Sequence, residues 1–420
     1  MTDVQAESRG RDLAALDLTD AALYRSGFPH AIFTRLRRDA PVWWQAIPEH
    51  VSGCADGGFW VLSTYHDVQA ANRDTERFSA VDGPSLTDRP EMRGTMLVSM
   101  DGRDHTRQRK LISAGFTPRM VGRLEEQMRG WAAAIVTDAL QRGTCDFVAD
   151  VAYQLPMHMI ADIVGIPVAD RQWLFTLTTD FLQAGDPTAG VSREQQLAIQ
   201  AEMFQYARAL GERKRARPAD DVWTILSTVE VDGDDGGRTA LSELELDLFF
   251  LLLTVAGSET TRNAIALGLI ALLDRPDQLE TLRNDPTVRD TAVEEIIRWA
   301  SPVSYFARRA TRDTEIRGVR IAAGQRVTLW YPSANRDADV FDDPFRFDIR
   351  RAPNEHVAFG GGGAHFCLGA NLARREIAIL FEELLRRTRR IEIVGPPTYS
   401  ALSIHNPILV TLKALPVRLA

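Results

Sequence analysis

Cysteine is scarce in this chain, and no run of apolar residues is long. The 420 residues include three cysteines, Cys54, Cys145 and Cys367, which are odd in number and far apart. They predict neither a disulfide framework nor a Cys-x-x-Cys metal site, and a reducing cytoplasm is the expected compartment. The longest strongly apolar run, 248–256, is much shorter than the roughly 18 residues needed to cross a membrane.

Basic residues do not predominate either. Lys and Arg total 49 against 57 Asp and Glu, which gives a net charge of −8. Binding to nucleic acid is not expected, because neutralising phosphates requires a basic surface. A hydrophobic content of 45% with 25% charged residues is typical of a globular protein with a sizeable core. The polar N-terminus predicts a flexible leader over residues 1–20, followed by a single domain over 21–420.

Apolar residues at helical spacing recur along most of the chain, and short strand-like segments lie between them. We therefore expect a mainly α fold with small β-sheets. The clearest segments are a helix that stops before Pro41, a strand at 59–65, a helix from 66 to about 78, helices at 116–140 and 151–164, two helices within 169–217 around the turn-rich stretch 185–190, and a long helix capped by Ser242 that ends near Leu273.

A glycine-rich stretch near the C-terminus carries the strongest chemical signal. Residues 359–374 read FGGGGAHFCLGANLAR, with Cys367 between the glycines and a predicted helix. The N-terminus of that helix would direct its N–H groups at the sulfur and favour the thiolate. A thiolate is one of the few protein ligands that bind haem iron axially. The alternative is an ordinary glycine loop with a buried cysteine.

The spacing around Cys367 resembles the signature of cytochromes P450, Phe-Gly-x-Gly-x-His-x-Cys-x-Gly. His365 and Gly363 precede the cysteine at the matching positions, whereas Phe359 lies eight positions before it instead of seven. Some bacterial members of the family share this longer loop. The resemblance implies haem b as the cofactor, with Cys367 as the iron ligand and four further haem contacts from the loop: Phe359, Gly361, His365 and Gly369.

Two other segments carry candidate haem contacts. His105 and Arg109 are four residues apart on a predicted helix and therefore share a face that can hold one anionic group. A solvated basic helix face is the alternative. The family resemblance implies that both bind haem propionates, and that Arg308 does so from a second segment, with Arg309 as the fallback if the register differs by one.

The long helix contains the sequence AGSETT, and Ala256 and Thr260 share one of its faces. Thr260 is expected to donate a hydrogen bond back to the carbonyl of Ala256, which locally opens a helix. Close helix packing through small residues is the alternative. The stretch resembles the oxygen-activating motif of the family, which implies that Gly257 leaves room for dioxygen while Glu259 and Thr260 direct protons to it.

A buried charge cluster is predicted around Arg298. Glu294 and Glu295 are both spaced to pair with it, so spacing alone does not choose between them. A surface salt bridge is the alternative to a buried pair. The family motif Glu-x-x-Arg selects Glu295, and the resemblance adds Arg351 as the third member of a structural brace for the cysteine loop.

The substrate pocket is predicted from apolar residues near these motifs, although core packing explains them equally well. In the family, the two helices within 169–217 and their connection cover the substrate. The candidate pocket residues are Val98, Phe181, Val255, Val303 and Tyr305.

The resemblance covers most of the chain and implies a fold shaped as a triangular prism, with a large helical lobe and a small β-containing lobe. It also implies a monomeric monooxygenase that hydroxylates a hydrophobic substrate, with a steroid or a methyl-branched or terpenoid lipid favoured. Because the haem fold uses the whole chain, electrons are expected from a separate ferredoxin and its NAD(P)H-linked reductase. A haem-thiolate enzyme that uses peroxide, or that couples or isomerises its substrate, is the first alternative, and a haem protein without turnover is the second.

Overall fold

The structure, a computed structural model, describes residues 13–47, 56–87, 90–115, 118–183, 191–232, 237–401 and 409–420. Helices make up most of these ranges. They are α1 His30–Asp39, α2 Tyr65–Arg73, α3 Gly102–Ser113, α4 Pro118–Arg142, α5 Gln154–Val164, α6 Val168–Gln183, α7 Arg193–Ala216, α8 Val222–Thr228, α9 Glu243–Leu273, α10 Pro276–Asn284, α11 Arg289–Ala300, α12 Tyr331–Ala334 and α13 Ala370–Arg387.

The strands are short and form small sheets. They are β1 Val42–Ala46, β2 Gly58–Leu62, β3 Phe78–Ser79, β4 Thr144–Asp146, β5 Val231–Asp232, β6 Arg238–Thr239, β7 Tyr305–Ala310, β8 Thr314–Ile316, β9 Val319–Ile321, β10 Arg326–Trp330, β11 Ile391–Ile393, β12 Thr398–Ala401, β13 Val410–Ala414 and β14 Pro416–Leu419. The predicted mainly α fold with small sheets is confirmed.

The largest sheet has five strands in the order β1-β2-β10-β7-β3. Only the β2–β10 pair is parallel within it, with Val61 opposite Thr328, and the other neighbours are antiparallel. The smaller sheets are β11-β14-β4, β12-β13, β5-β6 and β8-β9. Separate apolar clusters lie among the helices and around the five-stranded sheet, so the molecule divides into a helical lobe and a β-containing lobe.

Helix α9 is the longest element, and its ends agree with the sequence prediction. Ser242 accepts a hydrogen bond from the Glu245 N–H at 3.2 Å, and the Glu245 carboxylate accepts one from the Ser242 N–H at 2.8 Å. This reciprocal cap satisfies two N–H groups that the first turn leaves without helical partners. Apolar residues surround most of the helix, so it runs buried through the helical lobe and carries the AGSETT stretch into the interior.

Two predictions for the N-terminal region need correction. The strand expected over 59–65 ends at Leu62, because Tyr65 already begins α2, where its N–H donates to the carboxylate of Asp337 at 2.8 Å. The flexible leader expected over 1–20 does not include Leu16 and Leu18, which are buried against the five-stranded sheet. The rest of that leader, residues 1–12, lies outside the described residues, as does the turn 185–190.

No helix in the described ranges is both long and apolar enough to cross a membrane.

Candidate active site

Cys367 lies just before α13, in a loop that folds back on itself. Its N–H donates to the carbonyl oxygen of Phe359 at 3.0 Å, and the N–H of Gly369 donates to its sulfur. Phe359 therefore remains beside the cysteine although the loop is one residue longer than the family signature. Arg374, one turn into α13, places its guanidinium 4.6 Å from the centre of the Phe359 ring.

The environment of the Cys367 sulfur differs from the expectation. Burial raises the pKa of the thiol, and the Gly369 N–H and the charges of Arg109 and Arg374 only partly oppose this. The helix N-terminus alone therefore does not make the thiolate the favoured form. Yet the residue is accessible to solvent. The exposed residue can bind a soft metal centre through its sulfur.

The four consecutive glycines fit the loop against α2. Gly360–Gly363 all have φ between +65° and +100°, a region that disfavours L side chains. A Cβ atom on Gly361 would lie 2.8 Å from the Val357 side chain, and one on Gly363 would lie 3.0 Å from the backbone of Arg73. Contact with the cofactor remains a prediction for Gly361, whose Cβ side faces Val357. Its carbonyl accepts a hydrogen bond from Arg73 at 2.7 Å.

Asn72, at the end of α2, joins this loop to the β-containing lobe. Its side-chain N–H groups donate to the carbonyl oxygens of Gly360 and, at 3.2 Å, Gly362. Its side-chain oxygen accepts from Arg308 at 3.1 Å and from the Tyr331 hydroxyl at 3.2 Å. The carboxamide is buried. No sequence motif includes Asn72. The one sequence signal for its role is that a polar residue occupies a buried position near the end of an amphipathic helix.

His105 and Arg109 face the cysteine loop from α3, as their spacing predicts. The His105 ring lies 4.4 Å from the His365 ring, and Arg109 donates to the carbonyl oxygen of Phe366 at 2.6 Å. Burial, together with the charges of His365 and Arg109, lowers the pKa of His105 to about 4, so its ring is neutral near pH 7. His365 is held in turn by the carboxylate of Asp101 at 3.1 Å.

Arg308 and Arg309 have different partners in the structure. Arg309 pairs with the carboxylates of Asp82 at 2.6 Å and Asp56 at 2.8 Å, so its charge is already balanced. Arg308 is buried and donates to Asn72 and to the carbonyl of Ala307. The position of Arg308 therefore agrees with the register in which Arg308, and not Arg309, is the predicted propionate ligand.

Two buried nitrogen atoms at this site have no hydrogen-bond partner among the described residues. They are Nε2 of His105 and Nε of Arg308. A buried polar group without a partner costs free energy, so each such atom requires an explanation. Haem b carries two propionates, which would accept hydrogen bonds from such donors, and an iron that binds a thiolate. The residues present therefore fit a haem.

On α9 the hydroxyl of Thr260 donates to the carbonyl oxygen of Ala256 at 2.7 Å, which confirms the predicted back-bond. Gly257 lies on another side of the helix, where an added Cβ would come within 3.1 Å of Ile160 on α5. Close helix packing is therefore one reason for the glycine, and the room for dioxygen expected there remains a prediction.

Glu259 is buried and forms an ion pair with Arg262 one turn further along α9. Burial raises the pKa of the Glu259 carboxyl, although Arg262 opposes the shift. The Arg262 guanidinium also lies 5.7 Å from the centre of the Tyr153 ring. A carboxyl with a raised pKa gains and loses a proton more readily near neutral pH. Arg262 was not singled out from the sequence, although its i, i+3 spacing from Glu259 was a visible signal.

The brace contains the three predicted residues. Arg298 binds both carboxylate oxygens of Glu295, at 2.7 and 2.8 Å, and both residues are fully buried. Nε of Arg351 lies 3.2 Å from the same carboxylate, at an angle too poor for a hydrogen bond. Arg298 and Arg351 also donate to backbone carbonyls between residues 335 and 346. The brace thereby fixes the segment that leads to the cysteine loop.

Glu294, the competing partner for Arg298, pairs elsewhere. It binds Arg374 of α13 and His356 at 3.0 Å. Partial burial by itself would raise its pKa, but the hydrogen bonds from His356 and Arg374 outweigh it and lower the pKa to about 2. Glu294 therefore anchors the first turns of the helix that follows Cys367.

A cavity of about 390 Å³ opens beside α9. It begins near Leu197 and Leu244, which are about half exposed, and reaches Val255, the residue before Ala256. Phe181 lines it as well, so two of the predicted pocket residues are here. The described residues that line it are Met92, Thr95, Met96, Phe181, Gln196, Leu197, Gln200, Phe204, Leu244, Leu248, Leu251, Leu252 and Val255.

Three of the predicted pocket residues do not line this cavity. Tyr305 is wrong as a pocket residue, because it is fully buried and its ring packs 4.8 Å from that of Trp330, in the cluster that also holds Leu16. Val303 packs against the core of the five-stranded sheet, and Val98 lies in a short turn before α3. Strand β7 begins at Tyr305 and turns its side chain into the β-containing lobe.

Comparison with known proteins agrees with this site. The family model "Cytochrome P450" matches residues 193–392. The chain is 40% identical over 389 residues to the steroid C26-monooxygenase of Rhodococcus jostii, covering 91% of this chain and 80% of that protein. It is 42% identical over 396 residues to the methyl-branched lipid omega-hydroxylase of Mycobacterium tuberculosis, covering 92% and 90%.

A solved structure shows the same fold. The Mycobacterium marinum cytochrome P450 CYP268A2, in complex with pseudoionone, superposes with a TM-score of 0.87 at 36% identity and covers 97% of this chain and 99% of its own. The fold, the family model and the hydroxylase relatives lead to one conclusion, and they identify haem b as the cofactor. The chain belongs to the bacterial cytochromes P450 and is a haem-dependent hydroxylase.

Proposed function

We propose that the protein is a haem-thiolate monooxygenase that hydroxylates an unactivated carbon of a hydrophobic lipid. The observation that carries this proposal is the set of groups around the cysteine loop, which comprises the exposed Cys367 and the unpartnered buried nitrogens of His105 and Arg308. Haem, when bound there, supplies the reductive activation of dioxygen, in which one oxygen atom enters the C–H bond and the other leaves as water after two electrons and two protons are taken up.

Each group of residues has a separate task in this proposal. Cys367 would bind the haem iron, and His105, Arg109 and Arg308 would bind the propionates. Thr260, whose hydroxyl donates to the carbonyl of Ala256, would position the protons that the haem chemistry takes up. Glu259 would supply those protons once its carboxylate is released from the ion pair with Arg262.

A steroid or a methyl-branched or terpenoid lipid is the proposed substrate. Two relatives at 40% and 42% identity are, by name, a steroid C26-monooxygenase and a methyl-branched lipid omega-hydroxylase. The cavity supports this choice, because ten of its described lining residues are apolar and its volume of about 390 Å³ suits a ligand of that size.

Electrons are proposed to come from a ferredoxin and its reductase, with the enzyme acting as a monomer. Basic residues on α3 and α13 are candidates for docking an acidic ferredoxin. Arg107, Arg374 and Arg375 are paired with carboxylates of this chain, Glu245, Glu294 and Glu125, which balance their charges. Lys110, which is exposed on α3, is therefore the proposed docking residue.

The proposed function is tested by a reconstituted assay with a ferredoxin, its reductase, isotopically labelled dioxygen, and a panel of steroids and branched lipids. The expected product is an alcohol that carries one labelled oxygen, with two electrons consumed for each alcohol formed. Product formation with peroxide and without ferredoxin, at an equal or higher rate, would instead establish the peroxide-using alternative. Charge reversal at Lys110 should slow reduction by ferredoxin most at low salt.

A further inference from the structure

A second cavity, of about 130 Å³, lies between α10, α11 and α13. Among the described residues, it shares no lining residue with the cavity beside α9, and no residue of α9 or of the cysteine loop lines it. Its walls are formed by buried apolar residues, among them Leu282, Ile296, Phe381 and Leu385. An apolar cavity of about this volume can hold a molecule of the size of benzene.

The charged residues of this cavity are more exposed than its apolar walls. Arg289 and Arg386 keep 39% and 56% of their side chains exposed, and Arg283 keeps 19%. Glu382, at 26%, is the fourth charged residue of the described lining. Because the buried part of the lining is apolar and the exposed part is charged, the cavity has a charged mouth and an apolar floor.

The charge at this mouth is positive. Three arginines line it together with one glutamate, an excess of two positive charges. The ion pairs connected to these four residues contain six arginines and four glutamates in all, so the excess of two remains when the partners are counted. The whole chain has a net charge of −8, so this positive charge is a local feature. The mouth therefore favours an anionic group.

The three guanidinium groups retain hydrogen-bond donors for a ligand. Each guanidinium has five N–H donors. Arg283 uses one nitrogen, Nη1, on backbone carbonyl oxygens, and Arg386 uses Nη2 on the carboxylate of Glu383 at 2.6 Å. Nη1 of Arg289 lies 3.3 Å from Glu382, but the Arg289 side chain makes no hydrogen bond within the described ranges. A carboxylate is the anion whose two oxygen atoms match such forked donors.

The cavity walls belong to the two helices that support the cysteine loop. Ile296 on α11 directly follows Glu295, the carboxylate of the brace, and α13 begins three residues after Cys367. The two helices are also joined by the ion pair between Glu294 and Arg374. A ligand that contacts α11 and α13 in this cavity therefore adds to the packing that supports the loop.

We propose that the cavity between α10, α11 and α13 binds a small hydrophobic carboxylate. The apolar body of the ligand lies on the cavity floor, and its carboxylate lies among Arg283, Arg289 and Arg386. A neutral molecule of the same shape would fill the floor but gain nothing from the positive mouth, and a cation would be repelled by it. This second site is independent of the substrate that the enzyme hydroxylates.

The test compares benzoate, benzamide and the benzamidinium cation, which have nearly the same shape and differ in charge. Their affinities for the holoenzyme are measured by calorimetry at low ionic strength, and thermal unfolding checks the stabilisation that binding to the folded state must give. Benzoate is expected to bind with a dissociation constant on the order of 1 mM or lower, and about tenfold or more tightly than benzamidinium, with benzamide between them. Equal affinities for benzoate and benzamidinium, or no saturable binding of benzoate, would overturn the proposal.

Two variants locate the binding. Arg386→Gln removes one exposed charge from the mouth and should weaken benzoate binding about threefold to fivefold. Ala378→Phe fills the cavity from α13 without changing its charge and should weaken benzoate binding about tenfold or more. Arg350→Gln is the matched control, since Arg350 is 58% exposed, pairs with Asp285 at 3.0 Å and is not a lining residue.

Benzoate binding that stays at the level of the Arg350→Gln control in either cavity variant would show that the proposal is wrong. If Ala378→Phe does not fold, Arg386→Gln decides alone, because its exposed side chain pairs only with Glu383 and its loss leaves the pair between Glu383 and Arg387 in place.

The haem absorption spectrum separates this site from the active site. Benzoate that entered the active site and displaced water from ferric iron would change that spectrum, whereas benzoate in the cavity between α10, α11 and α13 should leave it unchanged. Heat of binding with an unchanged spectrum supports the proposal. A spectral change that saturates with the same dissociation constant as the heat would place benzoate at the iron and contradict it.

Discussion

Arg308 donates a hydrogen bond of 3.1 Å to Asn72, although 236 residues separate the two in the sequence. The same carboxamide holds the carbonyls of Gly360 and Gly362. One buried side chain therefore links the loop that carries Cys367 to the arginine that is proposed to bind a propionate. A hydrogen bond to a charged group contributes about 1.5–3 kcal/mol, so this link is strong enough to influence how the cofactor is held.

Replacing Asn72 should loosen the haem. In Asn72→Leu the loop carbonyls lose their donor and Arg308 loses an acceptor, and we expect haem transfer to apomyoglobin to accelerate about tenfold. Asn263→Leu is a suitable control, because Asn263 is equally buried on α9 and bridges the backbone at Val410 and Leu412 instead. If the two variants lose stability equally and also lose haem at similar rates, Asn72 has no specific role in holding the haem.

Removing the hydroxyl of Thr260 should separate electron consumption from product formation. In Thr260→Ala we expect the yield of alcohol per electron to fall about tenfold or more, with hydrogen peroxide formed instead, because proton delivery loses its donor. Thr260→Ser keeps the hydroxyl and should restore most of the yield. An unchanged yield in the alanine variant would contradict the proton-delivery role.

Glu294 should stabilise the protein mainly above acidic pH. Its folded-state pKa of about 2 lies below the ordinary value of 4.5, so the stabilisation is complete above about pH 4.5 and is lost as pH falls toward 2. The shift corresponds to at most about 3 kcal/mol, and solvent screening of this partly exposed group makes the actual contribution smaller. Urea unfolding of Glu294→Gln across this range should show a shallower acid decline than the parent. If the unfolding free energies of Glu294→Gln and the parent fall in parallel as pH decreases, the stabilising role assigned to Glu294 is wrong.

Glu376, buried on α13, should have the opposite effect. Burial raises its pKa to about 8, although a hydrogen bond with Thr261 opposes the shift. The folded state therefore keeps a proton that the unfolded chain releases near pH 4.5, and the unfolding free energy falls as pH rises between those values. Relative to the parent, Glu376→Gln should gain stability from pH 5 to pH 8. A constant difference between the two proteins would refute this.

The brace should not tolerate loss of its carboxylate. Glu295→Ala would leave the buried charges of Arg298 and Arg351 without their shared partner, which costs about 3–5 kcal/mol. We expect a large fall in melting temperature and poor haem incorporation. Glu382→Ala, on an exposed surface pair with Arg129, should cost less than about 1 kcal/mol.

The features that the sequence predicted well are those that depend on local spacing. The capping box at Ser242, the back-bond of Thr260 and the shared face of His105 and Arg109 all follow from the repeat of a helix. The long loop before Cys367 was recognisable because its glycines and histidine form a signature. Such features need no knowledge of which distant segments meet.

The features that the sequence did not reveal depend on distant contacts. Asn72 matters only because α2 ends where the glycine loop and β7 meet. Tyr305 was mistaken for a pocket residue because the direction of its side chain is set by the register of β7 against β10. Burial by the folded chain raises the pKa of the Cys367 thiol, and that burial depends on segments that the local sequence does not name.

Cys367 is proposed to be the thiolate ligand of a bound haem, and the roles of the other site residues depend on it. The most direct measurement is the absorption spectrum of the reduced holoenzyme after binding carbon monoxide, recorded for the parent and for Cys367→His. The parent should show the red-shifted Soret band of thiolate ligation, and the variant should bind haem but lose that band. A parent protein that binds haem without the thiolate-type band would contradict the central claim.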